Sequence, residues 1–288
     1  MASNKPILVT KYSGETEVFN PEKLLHALKK TGAGEKLVTD ILIDVESRLY
    51  EGIPTKKIYK MAMSKLKSRS KPMAARFHLK QAIMELGPSG FPFENFVAAL
   101  LKEQGFAVQV GVTAEGKCVK HEVDVIAEKD NRHFMIECKY HNQPGNVSNV
   151  KIPLYVHSRF LDVEEQWKQI PGHSMKFHQG WVVTNTRLTT DAVQYGSCAG
   201  LHLWSWDYPY GQGLKDIIDE TGLYPLTCLT TLSAREKNEL LNKHIVMCKE
   251  LCHNPQLLSQ IGIEKERAER IIKEGNELCH SLIQKKNH

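Results

Sequence analysis

Two kinds of hydrophobic spacing divide the chain. Over the first ninety residues the apolar positions recur at intervals of three and four: Leu24, Leu25 and Leu28, then Leu37, Ile41, Val45 and Leu49, then Ile58, Met61 and Leu66, then Ala75, Leu79, Ile83 and Leu86. Each set lines one face of a helix. Asn20 before Pro21 starts the first helix, Thr55 is expected to cap the third, and Pro72 opens the fourth. Ahead of them, 7–11 and 17–19 are short β-type runs joined by the turn residues 12–16, a small hairpin.

Beyond the Gly- and Pro-rich stretch 87–92, a domain boundary by composition, the spacing changes. A helix is predicted over 93–104, with Phe96, Leu100 and Leu101 inward and Gly105 closing it. Strands follow at 106–112, 122–128 and 133–140, then a helix from Pro153 that carries Tyr155, Phe160 and Trp167. A buried strand at 181–183, a helix at 191–198 and a strand at 201–204 complete the order αβββαβαβ, which implies a mixed sheet flanked by helices. From 213 to 288 the pattern is helical, with a capping box at Ser233 and Glu236 and a staple at Leu232. The expected fold is therefore α/β, in three units: 5–88, 91–210 and 213–288.

The hairpin at 122–140 holds the candidate chemistry. If Asp130 and Asn131 form a two-residue loop, cross-strand partners have numbers summing to 261, so Asp124 faces Glu137 and Glu122 faces Lys139. Alternation along each strand puts all four on one face. Three carboxylates and a lysine between apolar flanks make a poor core and a good seat for a divalent metal.

At these residues the chain resembles the PD-(D/E)xK nuclease superfamily, with Asp124 as the lone Asp and Glu137, Cys138, Lys139 as the ExK. It is similar in particular to the Mrr-type, restriction-endonuclease-like branch, which adds a helical Glu upstream, here Glu94. Val123 stands where many members have Pro. A second ExK, Glu115, Gly116, Lys117, lies in a polar turn without apolar strands around it. The resemblance covers about 91–210 and implies that Asp124, Glu137 and Glu94 hold Mg²⁺ or Mn²⁺ while Lys139 orients the attacking water.

Residues 5–88 resemble the ATP-cone, the nucleotide-sensing domain at the front of ribonucleotide reductases, through VTKYSGETEVFNPEKLLHAL, YEGIPTKKIY and AARFHLKQAI. That resemblance assigns Lys11, Glu17, Asn20, Lys23, Thr55 and Tyr59 to a site for ATP or dATP, with Arg76 beside them. Tyr12 and Ser13 depart from the family, which often has a basic residue and an Asp there. No Walker A is present, since 32–36 is too short and lacks the Gly-Lys-Ser/Thr ending, so the adenine nucleotide is expected as an effector and not a fuel. The tail at 254–263 resembles a helix-hairpin-helix in outline. Cys248, Cys252, His253, Cys279 and His280 invite a zinc site, yet Ile245, Leu251 and Leu278 around them mark the cysteines as small core residues.

Charge sharpens this division. The net charge is +5, but residues 1–90 carry 16 Lys and Arg against 9 Asp and Glu, whereas the rest carry 22 against 24. The basic surplus sits in the front unit and suits an anionic ligand there. DNA affinity must then come from a local patch in the nuclease half. Seven cysteines without a regular framework suit a reducing compartment, and the start MASNKP has no apolar signal region. No apolar run approaches the roughly 20 residues of a membrane span.

The expectation is a cytoplasmic, metal-dependent endodeoxyribonuclease whose partners are DNA and an adenine nucleotide, with no membrane contact. A homodimer or higher nucleotide-dependent oligomer would be a natural control point, because cutting both strands calls for two sites. The rivals keep the fold: a catalytically inactive, nucleotide-responsive DNA-binding or assembly protein, or an unregulated nuclease whose front unit is an interaction module.

Overall fold

A computed structural model describes residues 6–169 and 177–280. Its front unit begins with β1 (Leu8–Thr10) and β2 (Thr16–Val18), the expected hairpin, paired antiparallel. A third strand, β3 (Ile53–Pro54), joins β1 in parallel with Thr10 opposite Pro54. The sequence gives little sign of it, because two residues carry no periodicity. The four helices are α1 (Pro21–Lys30), α2 (Glu35–Glu46), α3 (Thr55–Arg69) and α4 (Lys71–Met84). Thr55 is not the cap of α3. Pro54 holds that position in extended geometry, fixed by its pairing with β1, and Thr55 is the first helical residue. Leu28, Val38, Ile41, Val45, Ile53, Ala62, Leu66 and Ala74 form the core of this unit.

Next come α5 (Phe91–Glu103), β4 (Ala107–Glu115), β5 (Lys120–Lys129), β6 (Arg132–Lys139) and β7 (Val147–Ser148). After them run α6 (Lys151–Trp167), β8 (Phe177–Thr184), β9 (Arg187–Leu188), α7 (Thr190–Cys198) and β10 (His202–Trp204). The main sheet has the order β10-β8-β6-β5-β4, in which β4, β5 and β6 form an antiparallel meander and β6, β8 and β10 run parallel. The predicted order of elements holds, with the two-residue pair β7 and β9 added beside the sheet. One face of the sheet packs on α5 and the other on α6 and α7.

The C-terminal part consists of α8 (Leu214–Thr221), a 3-10 turn at Leu226–Cys228, α9 (Ala234–Asn242), α10 (Cys248–His253), α11 (Gln256–Gln260) and α12 (Lys265–His280). Its apolar residues Tyr224, Leu229, Leu251, Ile271 and Leu278 belong to the same core as Phe93, Phe96, Val125 and Ile136, and α4 joins that core through Ala75, Leu79, Ala82 and Ile83. Glu274 of α12 is almost wholly buried. Its carboxylate accepts from the backbone N–H groups of Thr230 (2.8 Å) and Thr231 (3.0 Å) and from both threonine hydroxyls. Full satisfaction of that kind is the condition for a buried carboxylate to persist. No helix among the described residues is long and apolar enough to cross a membrane.

The predicted capping box is present: Glu236 N donates to Ser233 Oγ (3.3 Å) and Ser233 N to Glu236 Oε2 (2.8 Å). Arg267 of α12 reaches the same carboxylate, with Nη2 at 2.7 Å from Oε2. That guanidinium, outweighing the opposing effect of burial and helped by Ser233, holds the Glu236 carboxyl at about 2. An unfolded chain binds this proton near about 4.3. The stabilisation is therefore complete above that value and is lost as pH falls toward the folded one. Glu236→Gln, which keeps the box but loses the charge facing Arg267, is expected to cost about 1 kcal/mol at pH 7. In urea titrations the gap from the native chain should close as the pH is lowered toward about 2.

Candidate active site

The hairpin turn fixes the register of the site. Asp130 and Asn131 both adopt positive φ (51° and 60°), as a two-residue loop between twisted strands requires, and Val125–Ile136 through Lys129–Arg132 pair in the predicted register. The ladder then stops. Asp124 and Glu137 do not continue it as a backbone pair; instead Cys138 N donates to Asp124 Oδ2 at 2.7 Å.

The alternation of β5 reverses at this point. Val125 and Ala127 pack on the α5 side of the sheet, whereas Val123, which regular alternation would place with them, packs with Met135, Phe160 and Val163 on the α6 side. In β4 the same change separates Val110 from Ala114. Gly111 lies between them, opposite Asp124, with φ +65°. A left-handed residue is cheap only for glycine, and it lets the strand turn its faces over at the one level where the β4–β5 register skips a pair.

The reversal leaves Asp124 where groups from both faces meet. Glu94 enters from the first turn of α5, close over Gly90, at which a Cβ would stand 3.0 Å from Glu94 Oε1. Glu137 leaves β6 on the α6 side, and Lys139 is exposed at the strand end. Glu94, Asp124, Glu137 and Lys139 line one cavity of about 440 Å³, together with Cys138, Tyr140, Asn142 and the boundary residues Pro88 and Gly90. The Tyr140 hydroxyl lies 2.6 Å from Met84 O and 3.1 Å from Gly87 O, each able to accept its proton, and so ties the cavity wall to the end of α4.

The three acids crowd one another. Glu94 is pushed up to about 7, first by burial and then by the charges of Asp124, Glu137 and Glu122. Glu137 also rises to about 7, through burial and Asp124, against the pull of Arg159 and Lys139. Asp124 is raised by burial, with the Cys138 N–H and Arg159 opposing. Such a donor set fits a divalent cation, which would relieve both the burial and the repulsion. As the side chains stand, no three His, Cys, Asp or Glu residues among those described form a group able to hold a metal ion, and this includes the cysteines considered for zinc. The side chain of His280 lies outside the described residues.

Glu122 is exposed, and among the described residues no ion pair joins it to Lys139, because the strands part before that predicted pair. In its place stands Arg159 of α6. It is almost fully buried, donates through Nη1 to Glu137 Oε2 and through Nη2 to the Glu122 carbonyl, and lies 3.5 Å through Nε from His121 Nδ1. Since that nitrogen accepts, His121 Nε2 carries the proton and donates to Asp162 Oδ2 at 2.8 Å. The missed signal was positional: Arg159 falls on the helical stripe of Val156, Phe160 and Val163, where a charge needs a buried partner.

In the front unit, Lys11 and Lys23 meet on Glu17 at 3.2 and 3.1 Å. Asn20 caps α1 by accepting from Glu22 N at 2.9 Å, and Thr55 starts α3 beside the end of β1. Tyr59 lies within the helices of the same unit. It stacks on Phe77 with ring centroids 5.1 Å apart and lies 2.7 Å from His78 Nδ1. Arg76 donates to Thr31 O at 2.9 Å, while its Nε and Nη2 are buried without a partner. A larger cavity, about 670 Å³, opens between α11 and α12 and touches none of the predicted site residues.

A nucleotide-cone front followed by a restriction-endonuclease-like sheet is the class that this fold and site define, and family profiles match in the same order. An ATP cone domain matches at 7–80, a restriction endonuclease at 87–156 and the domain described as AF1548-like, C-terminal at 224–279. An uncharacterized protein of Archaeoglobus fulgidus is 34% identical over 183 residues, which span 63% of this chain and 99% of that protein. The crystal structure of a protein of unknown function, AF1548, superposes with a TM-score of 0.55 at 33% identity, covering 67% of this chain and all of that one. The chain belongs to this AF1548-like family. Can2 from Sulfobacillus thermosulfidooxidans, solved with cyclic tetra-adenylate, is more distant: 14% identity, TM-score 0.32, 66% of this chain and 60% of that one, too slight a likeness to bear on function.

The reversal at Gly111 can be tested directly. Gly111→Ala, with open space around the new methyl but φ +65°, is expected to destabilise the chain by about 1–2 kcal/mol. Urea unfolding would measure it, and a stabilised variant would contradict the account.

Proposed function

We propose that this protein is a metal-dependent endodeoxyribonuclease whose activity or assembly answers to an adenine nucleotide at its ATP-cone. The observation that carries the reading is the convergence of Glu94, Asp124, Glu137 and Lys139 on one cavity at the place where β5 and β6 part. Asp124, Glu137 through Oε1, and Glu94 would hold Mg²⁺ or Mn²⁺, which when bound acidifies a water and offsets charge on the scissile phosphate. Lys139 Nζ would orient the attacking water and face the phosphate oxygens. Arg159 would keep Glu137 aimed at the cavity, and Cys138 N would do the same for Asp124. In the front unit, Lys11 and Lys23 would exchange Glu17 for phosphates at the start of α1, where free N–H groups favour anions. Thr55 and Tyr59 would complete that site. We take 5–88, 91–210 and 213–288 as the sensing, cutting and supporting units. Dimerisation driven by nucleotide would bring two cavities to one DNA substrate.

The engagement of Glu137 by Arg159 favours one alternative, a chain that binds DNA in answer to nucleotide without cutting it. Cleavage assays with Mg²⁺ or Mn²⁺ decide between the two. Lys139→Ala is expected to lose on the order of 10² to 10⁴ in rate. Asp124→Ala should lose at least as much, and equal activity in all three chains would reject the assignment. In calorimetry with ATP, dATP and ADP, Lys11→Ala is expected to weaken binding about tenfold or more. If the native chain takes up none of the three, nucleotide control is excluded.

A further inference from the structure

The cavity occupies only part of the sheet edge on which it opens. Because β6, β8 and β10 are parallel, their C-terminal ends at Lys139, Thr184 and Trp204 stand side by side, about 5 Å from strand to strand. The loop after β6 supplies Tyr140 and Asn142 to the cavity. The loop after β8 is tied to it by Asn185, whose Oδ1 accepts from His141 N (2.8 Å) and whose Nδ2 donates to His141 O (2.7 Å). The loop after β10, residues 205–213, is tied on in turn, since Trp206 N donates to Thr186 O at 2.9 Å.

This third loop contributes nothing to the cavity, yet it is stiff. Ser205 N donates to Tyr208 O (2.7 Å), Gln212 N to Pro209 O (2.9 Å), Leu214 N to Ser205 O (2.9 Å) and Trp204 Nε1 to Gln212 O (3.0 Å). Gly213 is packed so closely that a Cβ would lie 2.7 Å from Trp206 O. At the tip, Tyr210 is 97% exposed. Three cations lie near the base of the loop: Lys80 with Nζ 5.1 Å from the Trp206 ring centroid, Arg187 paired with Asp207 at 2.8 Å, and Lys215, whose backbone N–H bonds Trp206 O at 3.3 Å and whose charge acts on Lys80. Lys80 lies below the ordinary lysine range, first through desolvation and then through the charges of Arg187 and Lys215, which Asp207 only partly offsets.

A lone exposed tyrosine is ordinary. A ring held out on a stiff loop, amid three cations with only Asp207 set against them and along the same edge as a cavity suited to a phosphodiester, has the makings of a stacking platform. Stacking on protein requires a base freed from its neighbours, which an intact duplex does not offer.

We propose that residues 205–213 bind single-stranded nucleic acid, with Tyr210 stacking on a base while Lys80, Arg187 and Lys215 meet phosphates. The substrate then presents an unpaired segment on the same sheet edge as the cavity. The link to cleavage rests on the nuclease reading; the binding does not.

The test is fluorescence anisotropy of the full chain in metal-free buffer with labelled single-stranded DNA, single-stranded RNA and a blunt DNA duplex. Single strands should bind more tightly than the duplex. Tyr210→Ala should weaken them about 5- to 100-fold while Tyr210→Trp retains them. Lys215→Gln should reduce the slope of log affinity against log salt by about 0.7. Whichever of DNA and RNA responds to Tyr210→Ala identifies the strand. Single-strand binding unchanged by Tyr210→Ala, or absent from the native chain, overturns the platform. Cleavage that is absent, or equal in native and Asp124→Ala chains, rejects the nuclease reading alone.

Discussion

Like charges do not gather unless a scaffold forces them together, and here the force comes from one reversal of pleat. A strand of regular alternation would keep the α5 and α6 sides of the sheet apart, with Glu94 on one and Glu137 on the other. Gly111 and Asp124, facing each other across β4 and β5, turn both strands over at the same level. Asp124 then sits on the boundary, held by the Cys138 N–H as the pairing with β6 ends. Burial first, and the neighbouring carboxylates second, raise the affinity of Glu94 and Glu137 for protons there. Packing of α5 and α6 against opposite faces supplies the compensating stability.

Much of this was legible in the chain itself, and the reasons differ by residue. The hairpin register followed from Asp130 and Asn131 because a two-residue loop leaves only one way to count. The capping box at Ser233 and Glu236 followed from local chemistry alone. What escaped was non-local. The strand at Ile53–Pro54 exists only because β1 accepts it. Gly111 reads as a weak point in a strand until its partner across the ladder is known to be Asp124. Arg159 draws no notice as a single cation in a helix, although its place on the Val156–Phe160–Val163 stripe calls for a buried counter-ion. Nor does the sequence show that the Tyr59 ring stacks on Phe77 and its hydroxyl lies against His78, both on the following helix.

That orientation of Tyr59 connects units that the sequence presents as successive. His78 Nδ1 lies 2.7 Å from the tyrosine hydroxyl while Nε2 lies 3.4 Å from Glu85 Oε2, and Lys237 of α9 approaches the same carboxylate at 3.6 Å. Polar contacts thus run from the cone through α4 to the C-terminal helices. Tyr140 brings the cavity wall to the same helix end.

The helix α4 gives Ala74 to one core and Ala75, Leu79, Ala82 and Ile83 to the other. Modular proteins usually join their parts by tethers that let each swing freely. Here the joint is a load-sharing beam: its two flanks are cemented into different masonry, so neither neighbour can be lifted away without baring an oily seam. Excised alone, the cone would carry half of that seam into water, which makes this front end a poor candidate for grafting onto another enzyme.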